Sequence, residues 1–287
     1  MSAATRRIRA LAREAFPDWP SRVAIAVLAL VLLAVLFAPL LAPYDPNALA
    51  DFVRDQFLAP SMHHPFGTDQ AGRDVLSRVM HGGRVSLGVA ALSVVVSVAV
   101  GALWGAVAGF AGGVFDATLM RVSDAVLAFP RILLLLLMTS LVRAPSAAGI
   151  ALLLGITSWP GMSRLVRAEV RHLREQDYVL AARALGVPWW RTLRTHLLPG
   201  VAPQVSVAAA LAFASVIPLE ATLSFLGLGL HPPAASWGNI LLDGADQAAA
   251  HWWLVLFPAL AIVVTVVCVN TIGERLQDAI DPRRVAP

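Results

Sequence analysis

Long apolar runs, not short periodic groups, organise this chain. Residues 23–42, 85–110, 125–142, 147–163, 203–226 and 252–273 are almost uninterruptedly apolar. At about 1.5 Å per residue, a run of about 20 crosses the roughly 30 Å hydrocarbon core of a bilayer, so the pattern predicts about six spanning helices. The expected fold is an all-α, polytopic membrane protein. The polar stretches divide it into an N-terminal segment at 1–22, a first span at 23–42, a loop at 43–84, a core at 85–273 and a tail at 274–287. Within the core lie five spans and a polar segment over about 164–200.

Finer features modify this outline. A cleaved signal peptide would have an apolar core of only ~7–15 residues. The first run is longer and closes on Pro39 and Pro43, which favours a spanning helix. Residues 68–81 predict a separate interfacial helix: Thr68 or Asp69 can cap it, and Val75, Leu76, Val79 and Met80 share one face. Pro130 and Arg131 interrupt the third run. Glycines 101, 105, 109, 112 and 113 recur at close spacing in and after the second, the small-residue pattern that lets helices approach closely.

Composition agrees and adds exclusions. The chain is 58% hydrophobic and 14% charged, with mean hydropathy +0.72, where a soluble domain carries about 25% charged residues. It contains no lysine, so it has no phosphate-binding loop of the type that ends in Gly-Lys-Ser/Thr. The net charge of +4 comes from arginines beside apolar runs, where they set membrane orientation instead of binding nucleic acid. Cys268 is the sole cysteine, which rules out an intrachain disulfide. No nucleophile–base–acid pattern stands out, so the chain is not expected to be an enzyme.

Counting arginines loop by loop puts both termini in the cytoplasm. Arg164, Arg167, Arg171, Arg174, Arg183, Arg191 and Arg194 then fall inside, and the arginine-free loop at 227–251 falls outside. The loop at 43–84, with Arg54, Arg73, Arg78 and Arg84, agrees less well, but long loops weaken the bias.

The segment 176–200 has a derivable shape. Asp177 can cap a helix whose Tyr178, Ala181, Ala182 and Leu185 form one face. Gly186 can end it in the left-handed conformation, and Pro188 can open a second short helix. A small, mildly apolar exposed face suits insertion into another protein's groove; a plain amphipathic connector is the alternative.

This segment resembles the EAA loop of ABC importer permeases, on Ala181, Ala182, Gly186, Leu198 and Pro199, with Leu180 where that motif begins with Glu. The stretch His64 to Arg78, which includes Gly67-Thr68-Asp69 and Gly72-Arg73-Asp74, is similar to a signature of the dipeptide/oligopeptide/nickel branch. A second such signature is matched by Glu220 to Gly229 with Pro232-Pro233 and Ser236-Trp237-Gly238-Asn239. The resemblance covers essentially the whole chain and is nearest to the C-type subunit.

It implies a type I importer permease in the bacterial inner membrane, with no cofactor on this chain. The implied partners are a homologous second permease, two ABC ATPase subunits carrying ATP and Mg, and a periplasmic or lipid-anchored substrate-binding protein, with membrane lipid around them. It further implies an ATPase-coupling set of Asp177, Tyr178, Ala181, Ala182, Arg183, Gly186, His196 and Pro199. Gly67, Asp69, Gly72, Arg73, Asp74, Glu220, Ser224, Gly227 and Gly229 become gate or structural residues. Cargo stays open among peptides, nickel chelates, glutathione and small glycosides. An ion-gradient-driven transporter is the rival, although no inverted repeat or midplane ionisable pair is evident.

Two intramembrane charges need an explanation, because an unpaired one costs at least ~2.5 kcal/mol at the helix centre. For Glu220 the expected partner is a backbone amide freed by Pro218 or an arginine of the interfacial helix, with a substrate-path role as the alternative. Arg131 is expected to snorkel towards the cytoplasmic boundary. His63, His64, His231 and His251 fall on the outer side without a ligand spacing, so no metal site is expected.

Overall fold

The computed structural model describes residues 18–48, 54–141, 146–230 and 234–280; the side chain of Arg183 also lies outside the described residues. The described residues are helical apart from loops and one isolated bridge between Thr68 and Asp74. Helix α1 spans Trp19–Leu36 and is followed by the single turn α2, Ala38–Leu41; α3 spans Val75–Ala111, α4 Gly113–Leu127, α5 Arg131–Leu141 and α6 Ala147–Leu173. The elbow helix α7, Asp177–Ala184, precedes α8, Trp189–Thr192, a π-helical turn at Leu193–Leu197 and α9, Leu198–Phe225; α10, Trp237–Ala245, and α11, Trp253–Ile280, complete the chain.

Five stretches are long and apolar enough to cross a membrane: α1, α3, α6, Trp189–Phe225 and α11. A sixth is the pair α4 and α5, bent by 79°. Pro130 sits at that break, because a proline ring cannot continue the preceding turn.

α3 and α6 make the most extensive helix pair, with α9 packed on both and α11 on α9 and α1. The glycines make the pairing close, as the sequence indicates. A Cβ on Gly101 would stand 2.6 Å from Met162 Cβ, one on Gly109 would stand 2.8 Å from the Arg167 carbonyl, and one on Gly105 would strike the Ser163 carbonyl. One apolar cluster, including Val75, Leu87, Ile150, Ile217, Trp237 and Leu254, lies towards the loop-bearing end. Another, of Ala106, Met162, Val166, Val170, Val179, Leu197 and Val201, lies towards the elbow.

Several boundaries differ from those expected. α1 begins at Trp19, and Phe37 interrupts it one residue before α2, in which Pro39 lies. No separate interfacial helix forms over 68–81. Asp69 closes a tight turn, its Oδ1 accepting from the amides of Ala71 (2.8 Å) and Arg73 (3.0 Å). Gly67 and Gly72 take φ of +74° and +73°, which an α-helix does not contain. The cap is instead Asp74, which accepts from the Ser77 amide at 2.8 Å, and the helix then runs without a break to Ala111. The second elbow helix is not short either, since the π turn joins it to α9.

Candidate functional site

The elbow is fixed by a few buried anchors and leaves the rest of its surface open. Arg174, just past α6, donates to the Gly109 carbonyl at 3.0 Å, which ties the ends of α6 and α3 together. Arg167 grips Asp116 of α4 through Nε and Nη2 at 2.5 and 2.6 Å, with Arg171 at 3.8 Å. The chain then turns, and Gln176, not Asp177, occupies the cap position, its carbonyl accepting from Val179 and Leu180. Asp177 is the first helical residue, where a carboxylate still complements the helix dipole.

Val179 is the plug: it is fully buried in the cluster with Val166, Val170 and Leu197. Sequence reasoning missed it, although its position one residue beyond Tyr178 places it about 100° round the helix, off the face it selected. That face is open, with Tyr178 48% and Leu185 84% exposed and Ala181 exposed beside them. Gly186 adopts φ +77°, and the amide of Val187 reaches back to the Ala182 carbonyl at 3.1 Å, closing α7 with a left-handed residue as expected. Pro188 precedes α8, whose Trp189 and Trp190 are both more than half exposed. His196, in the π turn, meets the Tyr178 ring edge-on with centroids 5.9 Å apart, and Pro199 lies exposed in the first turn of α9. Leu180, standing where the motif begins with Glu, is 48% exposed. The product is an apolar, aromatic-flanked knob on a rigid bend.

At the other end the signature residues form a clasp. Asp69 Oδ2 accepts from Arg73 Nε (2.8 Å) and Arg78 Nη1 (2.5 Å), and both arginines reach Asp243 of α10, at 3.4 and 3.0 Å. Asp74 bonds the Ser77 hydroxyl and pairs with His64 Nδ1 at 3.0 Å. A Cβ on Gly67 would stand 2.6 Å from the Leu58 carbonyl and 2.8 Å from Trp253 Nε1, so the turn must pass bare against α11.

Glu220 is fully buried, and its partners are neither an arginine nor an amide released by Pro218. It accepts from Ser86 of α3 at 2.9 Å and from Ser224 at 2.8 Å; Ser236 donates to Ser224, and the Trp237 amide donates to Ser86. Gly229 packs against Ser224, and Gly238 packs with its Cβ position 2.6 Å from the Ala221 Cα. Gly227, φ +75°, turns the chain after α9. The second signature therefore pins α9 to α3 and α10, and Glu220 is its hub. Nothing in the sequence pairs residues 86 and 220.

Arg131 reaches across to α6. Its Nη2 points to the Leu154 carbonyl (3.5 Å) and the Ser158 hydroxyl of α6. It lines a cavity of about 340 Å³ with Ser97, Thr157, Ala212 and Ser215. Leu165 and Ala208 separate this cavity from one of about 390 Å³ lined by Gln204 and Gln277.

His64 stacks on Tyr44 and His251 on Phe57; His231 and the Pro232-Pro233 pair lie outside the described residues. Among the described residues, no group of three or more His, Cys, Asp and Glu is arranged to hold a metal ion.

Comparison with known proteins gives the site a context. The family model described as binding-protein-dependent transport system inner membrane component matches residues 101–285. A provisionally named peptide transport system permease protein of Brucella suis is 40% identical over 262 residues, 91% of this chain and 87% of its own length. A provisionally named peptide permease protein of the same organism is 42% identical over 278 residues, 95% and 91% of the two chains. The dipeptide transport system permease protein of Bacillus subtilis is 36% identical over 258 residues, 90% and 80% of the two chains.

Proposed function

Since this chain belongs to the family of binding-protein-dependent transport system inner membrane components, we propose that it is the C-type permease subunit of an ATP-driven importer of di- and oligopeptides. It pairs with a homologous permease to form the path. Two ATPase chains, which carry the ATP and Mg, dock on the elbow, and a binding protein delivers cargo at the clasp end. The termini and the elbow face the cytoplasm. Peptide is the cargo class because the relatives are named for peptide and dipeptide transport.

One observation carries the coupling role: an exposed apolar face of Tyr178, Ala181 and Leu185 is held on a helix on which Val179 is, among the described side chains, the only fully buried one. A knob anchored at one point and bare elsewhere is built to sit in a groove. Closure of the ATPase pair would move it as a rigid lever and tilt α6 and α9, giving alternating access.

The test is uptake of a labelled dipeptide and tripeptide mixture by cells lacking the gene, restored with the unaltered chain or with Gly186→Val. The unaltered chain restores uptake. Valine at φ +77° has open space around it but costs about 1–2 kcal/mol in backbone strain, so the variant inserts and yet loses binding-protein-stimulated hydrolysis. Normal stimulation in that variant refutes the coupling assignment; no uptake difference between deleted and restored cells removes common peptides as cargo.

A further inference from the structure

Arg131 stands out because neither the fold nor the proposed coupling uses its charge. Its hydrogen-bond partners are a carbonyl and a hydroxyl, both neutral. Among the described residues it forms no ion pair, and its Nε is buried without a hydrogen-bond partner. Every arginine of the clasp, by contrast, has a carboxylate. Leu154 and Ser158 lie the eighth and twelfth residues of the 27-residue α6. That is about 11–17 Å from its start at 1.5 Å per residue, near the middle of a roughly 30 Å hydrocarbon layer.

A cation at that depth is normally paired, or else faces a water-filled route. The surroundings favour a route. The cavity against Arg131 is lined by the hydroxyl-bearing residues Ser97, Thr157, Ser158 and Ser215, drawn from three helices. It is followed by the second cavity, where Gln204 Oε1 is likewise buried without a partner. Polar groups therefore continue from mid-span towards the far end of α11 along one side of α9.

We propose that Arg131 is a cargo-recognition residue, whose guanidinium takes the carboxylate of a solute passing through this subunit. The fork geometry of arginine suits a carboxylate in two-point contact, and Ser158, already bonded to it, holds the fork in place. The cargo class is then an organic acid or zwitterion, of which a peptide with a free C-terminus is one. This deepens the importer reading and rests on it.

The test uses the complete transporter in proteoliposomes, with its binding protein saturated by a labelled dipeptide or by the C-terminal amide of that dipeptide. Arg131→Gln is expected to lower uptake of the acid at least about tenfold, the worth of one charge-assisted hydrogen bond, while stimulated ATP hydrolysis persists and amide uptake stays as in the unaltered protein. Arg131→Lys, which keeps the charge and loses the fork, is expected to fall only about threefold, an intermediate loss for a single retained contact. Equal uptake by the Gln and Lys variants, or an equal fall for acid and amide, would overturn the proposal. So would loss of subunit assembly in Arg131→Gln that Arg131→Lys restores, which would assign the charge to a carboxylate on the neighbouring permease. An absence of dipeptide accumulation by the unaltered transporter would instead sink the importer reading, and this inference with it.

Discussion

The two ends of the helix bundle are built on opposite plans. At the clasp end, Asp69, Arg78, Glu220 and Ser224 are all within a few per cent of complete burial, and each is bonded to at least one other helix or loop. At the elbow end, Val179 is the buried side chain of α7, while Trp189, Trp190, Tyr178, Leu180 and Leu185 stay exposed. Buried charge that is paired is costly to disturb, because removing one member strands the others. Exposed apolar surface contributes little to the isolated fold and waits for a partner. The clasp end is a frame, and the elbow end is a contact surface.

Three substitutions break or sharpen that contrast. The largest effect is expected from Asp69→Ala, which leaves Arg73 and Arg78 with Asp243 alone. Stranding a buried charge typically costs about 3–5 kcal/mol, so the purified chain should unfold in detergent at a visibly lower temperature in a fluorescence melt. A melt unchanged within error would show the clasp to be ornamental.

Next comes Gly238→Ala, whose Cβ must push on the Ala221 Cα. Overpacking of this kind costs about 1–3 kcal/mol and should lower the melting temperature without touching stimulated hydrolysis per folded molecule. Smallest for the fold is Leu185→Asp, at an 84% exposed position. Stability should move by less than about 0.5 kcal/mol, yet ATPase chains should no longer co-purify. If Leu185→Asp destabilised the chain as much as Asp69→Ala, the distinction between frame and contact surface would fail.

How legible each end was in the sequence follows the same division. The elbow is local. Gly186, Pro188 and the face of Tyr178, Ala181 and Leu185 all interact within a dozen residues, so spacing alone revealed the bend. The close α3–α6 contact was legible too, because glycine repeats report on one helix face without naming the other.

The clasp is non-local. Ser86 and Glu220 are 134 residues apart, and Arg78 and Asp243 are 165 apart, so no window along the chain could pair them. The start of α3 was misplaced for a subtler reason. Asp69 and Asp74 are both competent caps, and only the two left-handed glycines on either side of Asp69 decide between them. The reach of Arg131 to Leu154 and Ser158 was not legible because it depends on where α4 and α5 bend, which the proline announces without giving a direction.

The π turn at Leu193–Leu197 acts as a phase setting. An α-helix rotates its side chains by about 100° per residue, and a π turn in effect accommodates one extra residue without breaking the rod. The orientation of Ala208, Ala212 and Ser215 relative to the knob at α7 is therefore fixed by the winding of those five residues. Were they rewound as plain α-helix, everything beyond Leu198 would swing by about a quarter of a circle. The side of α9 facing Arg131 would change while the knob stayed where it is, so the handedness and tightness of a single turn hold the two working surfaces of the molecule in register.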